Sequence, residues 1–162
     1  ELALKLMQAA EEQDFEPNIS YLNTISLMAD QFIQGIKNPD GSTRLDGKVI
    51  SAYQVALPSD PSNAECVEAA KVTVPDMAPD GNLMGGCNSA RWFVELLERA
   101  GPDLTRERLL EVISTVSNEK LSPGAVPADF SNGRHLGPSE IYIYELDGDW
   151  VPAGSAKLTD TK

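Results

Sequence analysis

Residues 86–113, GCNSARWFVELLERAGPDLTRERLLEVI, constrain the fold of this chain more than any other stretch. Phe93, Leu96, Leu97 and Ala100 fall at i, i+3, i+4 and i+7. Leu109, Val112, Ile113 and Val116 repeat that spacing, so the segment reads as two consecutive amphipathic helices, each with one apolar stripe to bury. Gly101 and Pro102 stop the first helix, and Asp103 or Thr105 is placed to cap the second. Another helix is expected just before them. Ser59-Asp60-Pro61 is a start signal with proline at the first helical position, and it opens a helix over 61–72. Pro75, Pro79 and Asp80-Gly81 mark the intervening loop. Three helices therefore follow one another with no strand between them, and their stripes must pack on each other or on a sheet supplied from elsewhere.

The N-terminal third has a different cadence. Residues 2–14 read as a helix with Leu2, Leu6, Ala9 and Ala10 on one face. Residues 19–22 form a short apolar run suited to a buried parallel strand. Ile25, Met28, Ala29, Phe32, Ile33 and Ile36 make the stripe of a second helix, Asn38-Pro39-Asp40-Gly41 turns the chain, and residues 48–55 read as a strand. Helix–strand–helix–strand is the order of an α/β sheet. Beyond Ser117 the pattern changes again: residues 124–130 and 140–146 alternate apolar and polar positions about Asn132-Gly133, which predicts an antiparallel hairpin. Asp147-Gly148 makes a tight turn before Trp150-Val151, and the small, polar stretch from Pro152 is expected to fray.

Composition narrows the functional classes. With 41% hydrophobic residues the 162-residue chain has enough apolar material for a core. Its 25 acidic and 13 basic residues give a net charge of −12, without a Lys/Arg cluster, which disfavours nucleic acid and anionic lipid surfaces as partners. No run approaches the ~20 apolar residues of a membrane span, and no signal peptide is present. Glu1 lies within an apparent helix, so the natural N-terminus is expected upstream, and the missing signal peptide does not argue against export.

Catalytic constellations are not evident. The single histidine, His135, sits between Gly133 and Gly137 in a turn and has no nucleophile-elbow serine to serve. Acid clusters such as Glu11, Glu12 and Asp14 fall on a solvent face. The 38–42 turn lacks the order of a calcium loop, and Gly85-Gly86 is not followed by the lysine of a phosphate loop. Trp92 is expected to pack rather than to serve as a ligand platform. Two cysteines, Cys66 and Cys87, are too few for a zinc site even with the histidine; in an exported chain a disulfide is their expected use, and otherwise they are small buried hydrophobes. No cofactor and no metal are expected.

The wording of 86–113 resembles the pattern G-aromatic-x-A-x-x-x-x-x-A-L-x-x-A-G … T-x-x-x-L-x-x-A-L, found near the C-terminus of type 1 periplasmic solute-binding proteins of ABC transporters, the Leu/Ile/Val-binding family. Three further stretches resemble the family in the same order: LALKLMQAAEEQDFEPNISYLNT, its helix-then-strand unit; KVISAYQVALPSDP, a strand crossing between lobes; and FSNGRHLGPSEIYIYELDGDWV, its closing hairpin. The resemblance implies an α/β fold: the C-terminal part of a two-lobed periplasmic-binding-protein type 1 structure, with a closing antiparallel hairpin. Residues 1–53 would belong to lobe two, 54–123 would be helices of lobe one, 124–151 the hairpin returning to lobe two, and 152–162 a tail. The absent half would carry the sheet that the three helices cover.

The resemblance also implies a function. Such a protein is not an enzyme. It captures a small polar molecule, such as an amino acid or related compound, by hinge closure of two lobes and delivers it to an ABC permease in the membrane. It would be exported, as a periplasmic protein or a cell-surface lipoprotein. The ligand-binding set implied for this chain is Leu22, Asn23, Thr24 and Gly86. Asn23 or Thr24 also suits capping of the helix that follows, and the lack of a carboxylate there departs from many amino-acid binders. Where the family commonly has an aromatic residue this chain has Cys87, which supports a Cys66–Cys87 bridge. The alternative is a ligand-sensing receptor ectodomain of the same fold; a third class is an α/β enzyme whose catalytic residues lie in the absent half. Uncovered stripes on the three helices further predict either repacking of residues 61–117 on themselves or self-association of the chain.

Overall fold

The computed structural model describes residues 2–15, 21–23, 30–43, 45–133 and 137–158; for 2–4, 7, 11, 21–23 and 30–32 it describes the backbone only. The chain builds a four-stranded mixed sheet and a separate layer of three helices. Helix α1 (Leu2–Glu12) precedes strand β1 (Tyr21–Asn23), helix α2 (Asp30–Ile36) and strand β2 (Val49–Tyr53). A short 3-10 turn (Pro61–Asn63) leads into α3 (Ala64–Thr73), α4 (Gly81–Ala100) and α5 (Arg106–Thr115), and the chain returns to the sheet as β3 (Glu140–Asp147) and β4 (Asp149–Lys157).

The sheet order is β1-β2-β3-β4. Strands β1 and β2 run parallel, with Asn23 opposite Ser51. Strand β3 is antiparallel to β2, pairing Tyr53 with Tyr142 and Ser51 with Tyr144. Alternation along the strands sends Val49, Tyr144, Leu146 and Trp150 to one face, where they bury with Ile33 and Ile36 of α2 and with Leu45 and Leu57. Leu45, Val49 and Leu146 are fully buried, each removal of such a side chain from water contributing about 2 kcal/mol. Helix α1 is tied to α2 through the Gln8 amide, which donates to the Gly35 carbonyl at 2.8 Å. Of its expected stripe, Ala10 is buried but Leu6 is exposed.

The three helices solve their missing-sheet problem locally. Leu96 and Ala100 of α4 and Val112 and Val116 at α5 close around Leu121 and Ala128, with Trp92, Leu109, Ile113 and Phe130 packed against them. Residues 116–130, an irregular segment, thus supply part of the cover for α4 and α5. Helices α4 and α5 are each capped by a side chain: Asp80 accepts from the Leu83 amide at 2.8 Å, and Thr105 accepts from the Arg108 amide at 3.1 Å.

Several expectations need correction. Helix α4 begins at Gly81, five residues before the expected start, because Asp80 caps it and Met84 and Asn88 bury a further turn and a half. Residues 124–130 do not pair with 140–146. Their alternation is real, since Gly124, Val126 and Ala128 are buried, but the apolar side faces the helices. Among the described residues the segment makes isolated bridges in place of a ladder: Val55 to Ala125, Glu119 to Ala128 and Ala128 to Pro138. The closing hairpin is β3–β4, turning at Gly148 with φ 68°. The expected tail from 152 is instead the edge strand β4, paired as far as Lys157. An edge strand can be small and polar because only one of its sides carries the ladder, and Pro152 is tolerated there for the same reason.

Candidate functional site

Chain direction places the carboxyl ends of the parallel pair β1–β2 beside each other, and crevices outside such ends are where open α/β sheets take their ligands. Leu22 and Asn23 are the last two residues of β1, opposite Ile50 and Ser51. The backbone thus positions these two members of the expected ligand set at the carboxyl edge of the sheet. Their side chains, and all of Thr24, lie outside the described residues.

At the same edge β2 leaves the sheet. Tyr53, half-buried, packs against both the sheet core and a smaller cluster of Val55, Cys66 and Met84. Burial pushes its hydroxyl pKa up, and the negative charge of Asp80 adds to that shift. Two crossing segments then run side by side: the Ala56 amide donates to the Gly124 carbonyl at 2.7 Å, and the Val126 amide donates to the Gln54 carbonyl at 2.9 Å. The Tyr144 hydroxyl reaches from the sheet to donate to the Val55 carbonyl at 3.1 Å. Burial raises the Tyr144 pKa, so this group remains a neutral donor.

A buried polar network fastens the crossings to the helices, and nothing in the sequence reading anticipated it. Asn63, Asn88 and Ser122 are at most 1% exposed. The Asn63 amide donates to the carbonyls of Ala56 at 2.7 Å and Leu57 at 3.0 Å. The Asn88 amide donates to Asn63 Oδ1 at 2.7 Å and to the Met84 carbonyl at 2.9 Å, and Asn88 Oδ1 accepts from the Ser122 hydroxyl at 2.6 Å. These side chains are satisfied by one another and by backbone, the condition under which buried amides stiffen rather than weaken a structure. Gly124 lies against them. A Cβ at that position would collide with Asn63 Oδ1 and lie 2.9 Å from Asn88 Oδ1, so the network requires glycine. One signal was available: Asn88 lies on the i+4 row of Met84, Trp92, Leu96 and Ala100, where a polar residue must find partners inside.

The same two helices are joined covalently. Cys66 of α3 and Cys87 of α4 form a disulfide with Cα atoms 5.9 Å apart, as the sequence reading expected. Arg91 and Glu65 make an ion pair beside it. Gly86 precedes Cys87 on an open turn of α4, where an added Cβ would meet nothing within 4 Å. The structure does not show Gly86 in contact with the β1 edge. Farther along, Arg99 grips Glu119 through two hydrogen bonds of 2.8 and 2.5 Å, which holds the Glu119 carboxyl below its ordinary pKa.

Two concavities flank the crossings. A recess of about 220 Å³ lies between Gln54, α4 and a wall made of Val126, Ala128, Phe130, Gly137 and Pro138. A wider groove of about 470 Å³ lies on the hairpin side, between Asp60, Lys120, Tyr142 and Tyr144; Lys120 there donates to the Tyr142 hydroxyl at 3.1 Å. Among the described residues no group of three or more His, Cys, Asp or Glu side chains could hold a metal ion, and no helix is long and apolar enough to cross a membrane. His135 is outside the described residues.

No protein-family model and no curated protein sequence matches this chain. Solved structures do match. A branched chain amino acid ABC transporter protein from Thermus thermophilus, with bound valine, superposes with a TM-score of 0.70 at 17% identity, over 96% of this chain and 43% of that one. A fatty acid ABC transporter substrate-binding protein from Thermomonospora curvata gives a TM-score of 0.71 at 23% identity, over 94% of this chain and 40% of that one. A substrate-binding protein of an ABC transporter from Aeropyrum pernix gives 0.65 at 17% identity, over 95% and 41%. The chain therefore has the fold of the C-terminal part of a two-lobed type 1 periplasmic binding protein. It spans about two-fifths of the length of the structures it matches.

Proposed function

We propose that this chain is the C-terminal part of a non-enzymatic solute-binding protein serving an ABC importer. The observation that carries the reading is the superposition of nearly the whole chain, sheet and helices together, on substrate-binding proteins of such transporters. Capture of a small polar molecule, such as an amino acid or related compound, then takes place between two lobes, with the ligand favouring the closed state by touching both. On this side of the cleft Leu22 and Asn23 contribute from the carboxyl edge of the sheet, Thr24, the next residue in the chain, joins them in the ligand set, and Gly86 lies on the open surface of α4. The partners are the ligand and a membrane permease, and the location is outside the cytoplasm, periplasmic or anchored to the cell surface as a lipoprotein. The matched proteins include one with bound valine and one described for fatty acids, so the fold alone does not select the ligand.

A thermal-shift screen of a polypeptide carrying both lobes, against amino acids, amides, aromatic acids and fatty acids, tests the reading. At least one class raises the melting temperature, and Asn23→Ala reduces the rise; no response to any class, from a protein shown to be folded, contradicts it. The 162-residue chain alone offers one wall of the cleft and binds no amino acid at micromolar concentration. Its exposed Phe93, Val94, Leu104 and Leu110, about half accessible each, also favour self-association of the isolated chain. Light scattering at micromolar concentration is expected to give a dimer or larger, and a strictly monomeric mass would show that packing among the helices suffices.

A further inference from the structure

The recess beside the crossings has the lining of a binding site, made of residues other than the Leu22, Asn23, Thr24 and Gly86 to which the solute reading points. Its walls are apolar and aromatic: Trp92 and Phe130, ring centroids 5.4 Å apart and tilted by 41°, with Val126 and Pro138 completing them. Its polar groups are Gln54 and Ser89. Neither side chain has a hydrogen-bond partner among the described residues, whereas Asn88, which also lines the recess, is saturated by Asn63, Met84 and Ser122. An amide and a hydroxyl thus remain available at the edge of an aromatic-walled hollow. Among the described residues lining it, none carries a formal charge, in a chain whose net charge is −12.

Size and rigidity complete the argument. A cavity of ~150 Å³ lined by aliphatic and aromatic side chains holds benzene, so about 220 Å³ accommodates one or two fused rings. The walls do not need to be formed by the ligand. Trp92 packs on the helical core, Phe130 closes on Gly137 so tightly that a Cβ there would lie 2.7 Å from its ring, and the Asn88 floor is held by the buried network. We propose that this recess binds a neutral aromatic molecule of one or two rings bearing a hydrogen-bonding group, which stacks against Trp92 and Phe130 and bonds to the Gln54 amide and Ser89 hydroxyl. A ring pair supplies the affinity through area and aromatic contact, and the two polar groups set the orientation.

Indole is the probe. Titrated into the isotopically labelled 162-residue chain, it is expected to produce saturable chemical-shift changes centred on the Trp92 indole N–H, the Gln54 side-chain amide and the Ser89 and Phe130 backbone amides. Valine at the same concentrations leaves these signals unmoved, which separates this site from solute capture at the sheet edge. Two substitutions at exposed positions keep the test independent of folding: Gln54→Ala weakens binding several-fold, and Ser89→Trp, which fills the mouth, reduces it at least tenfold while the rest of the spectrum is retained. Shifts that grow linearly without saturation, that centre on other residues, or that persist in Ser89→Trp overturn the proposal.

Discussion

The sheet region and the helical region meet the same requirement, covering apolar faces, by different means. In the sheet region the backbone does most of the work: ladders run from β1 to β4, and helix α2 covers the face carrying Val49, Tyr144, Leu146 and Trp150. In the helical region the described residues form no ladder. Helices α3 and α4 are tied by a disulfide and by Asn63–Asn88, α4 is tied to residue 119 by Arg99, and an irregular segment packs Leu121, Ala128 and Phe130 against α4 and α5. Backbone ladders tolerate side-chain variation on their exposed positions. Point ties do not, because each depends on one pair of residues. The difference predicts that stability in the helical region is concentrated in a few positions and in the sheet region is spread through the core.

The largest effect is expected at Gly124. Alanine there intrudes on two buried amides, and the combination of overpacking and displaced hydrogen bonds is expected to cost about 4 kcal/mol, read as a lowered denaturant midpoint. A loss below about 1 kcal/mol would mean that the crossings shift freely and that the network is not a point tie. In the sheet core Leu146→Ala is expected to cost about 3 kcal/mol through an ordinary cavity, with neighbours relaxing into it. If Leu146→Ala cost more than Gly124→Ala, the contrast between concentrated and distributed stability would fail.

The smallest effect is a pH dependence. The Glu119 carboxyl is held below its ordinary value of 4.5 chiefly by its hydrogen bonds to Arg99. A lowered folded-state pKa means that the stabilisation is complete above the unfolded value and disappears as pH falls through the folded one. Both side chains are about a third or more exposed, so solvent screening leaves well under about 1 kcal/mol. Acid titration of Glu119→Gln beside the unsubstituted chain checks it: their stabilities should converge as pH falls through the lowered folded value of the carboxyl, and a difference that persists in fully acid conditions would assign the loss to packing.

The same contrast governs what can be read from sequence. Periodicity identifies α4 and α5 because Leu96, Ala100, Val112 and Val116 are buried on the expected stripes. It misses the first turn and a half of α4 because Pro79 and Asp80-Gly81 read as loop, although burial of Met84 and Asn88 outweighs the poor propensity of Gly81, Gly85 and Gly86. The pairing expected for residues 124–130 fails since alternation shows only that one side of an extended segment is buried, not what it is buried against. Strand β4 escapes notice because an edge strand needs no apolar pattern. The disulfide is legible from two cysteines and the family resemblance. The Asn63–Asn88–Ser122 network is not, because its members are far apart in sequence and individually resemble surface residues. At the candidate ligand edge the backbone position of Leu22 and Asn23 agrees with a strand end, and their roles belong to the proposal.

Native-state hydrogen exchange tests the central contrast most directly, comparing the oxidised 162-residue chain with a Cys66→Ala/Cys87→Ala variant. Closing a loop with a sequence separation of 21 constrains the unfolded helical region by about 3 kcal/mol. The account predicts that amides of α3 and the first half of α4 lose protection by about a hundredfold, whereas the β2–β3 ladder amides change by less than about threefold. An equal loss in both regions would show one cooperative unit and contradict the claim that the helices are held by their own point ties.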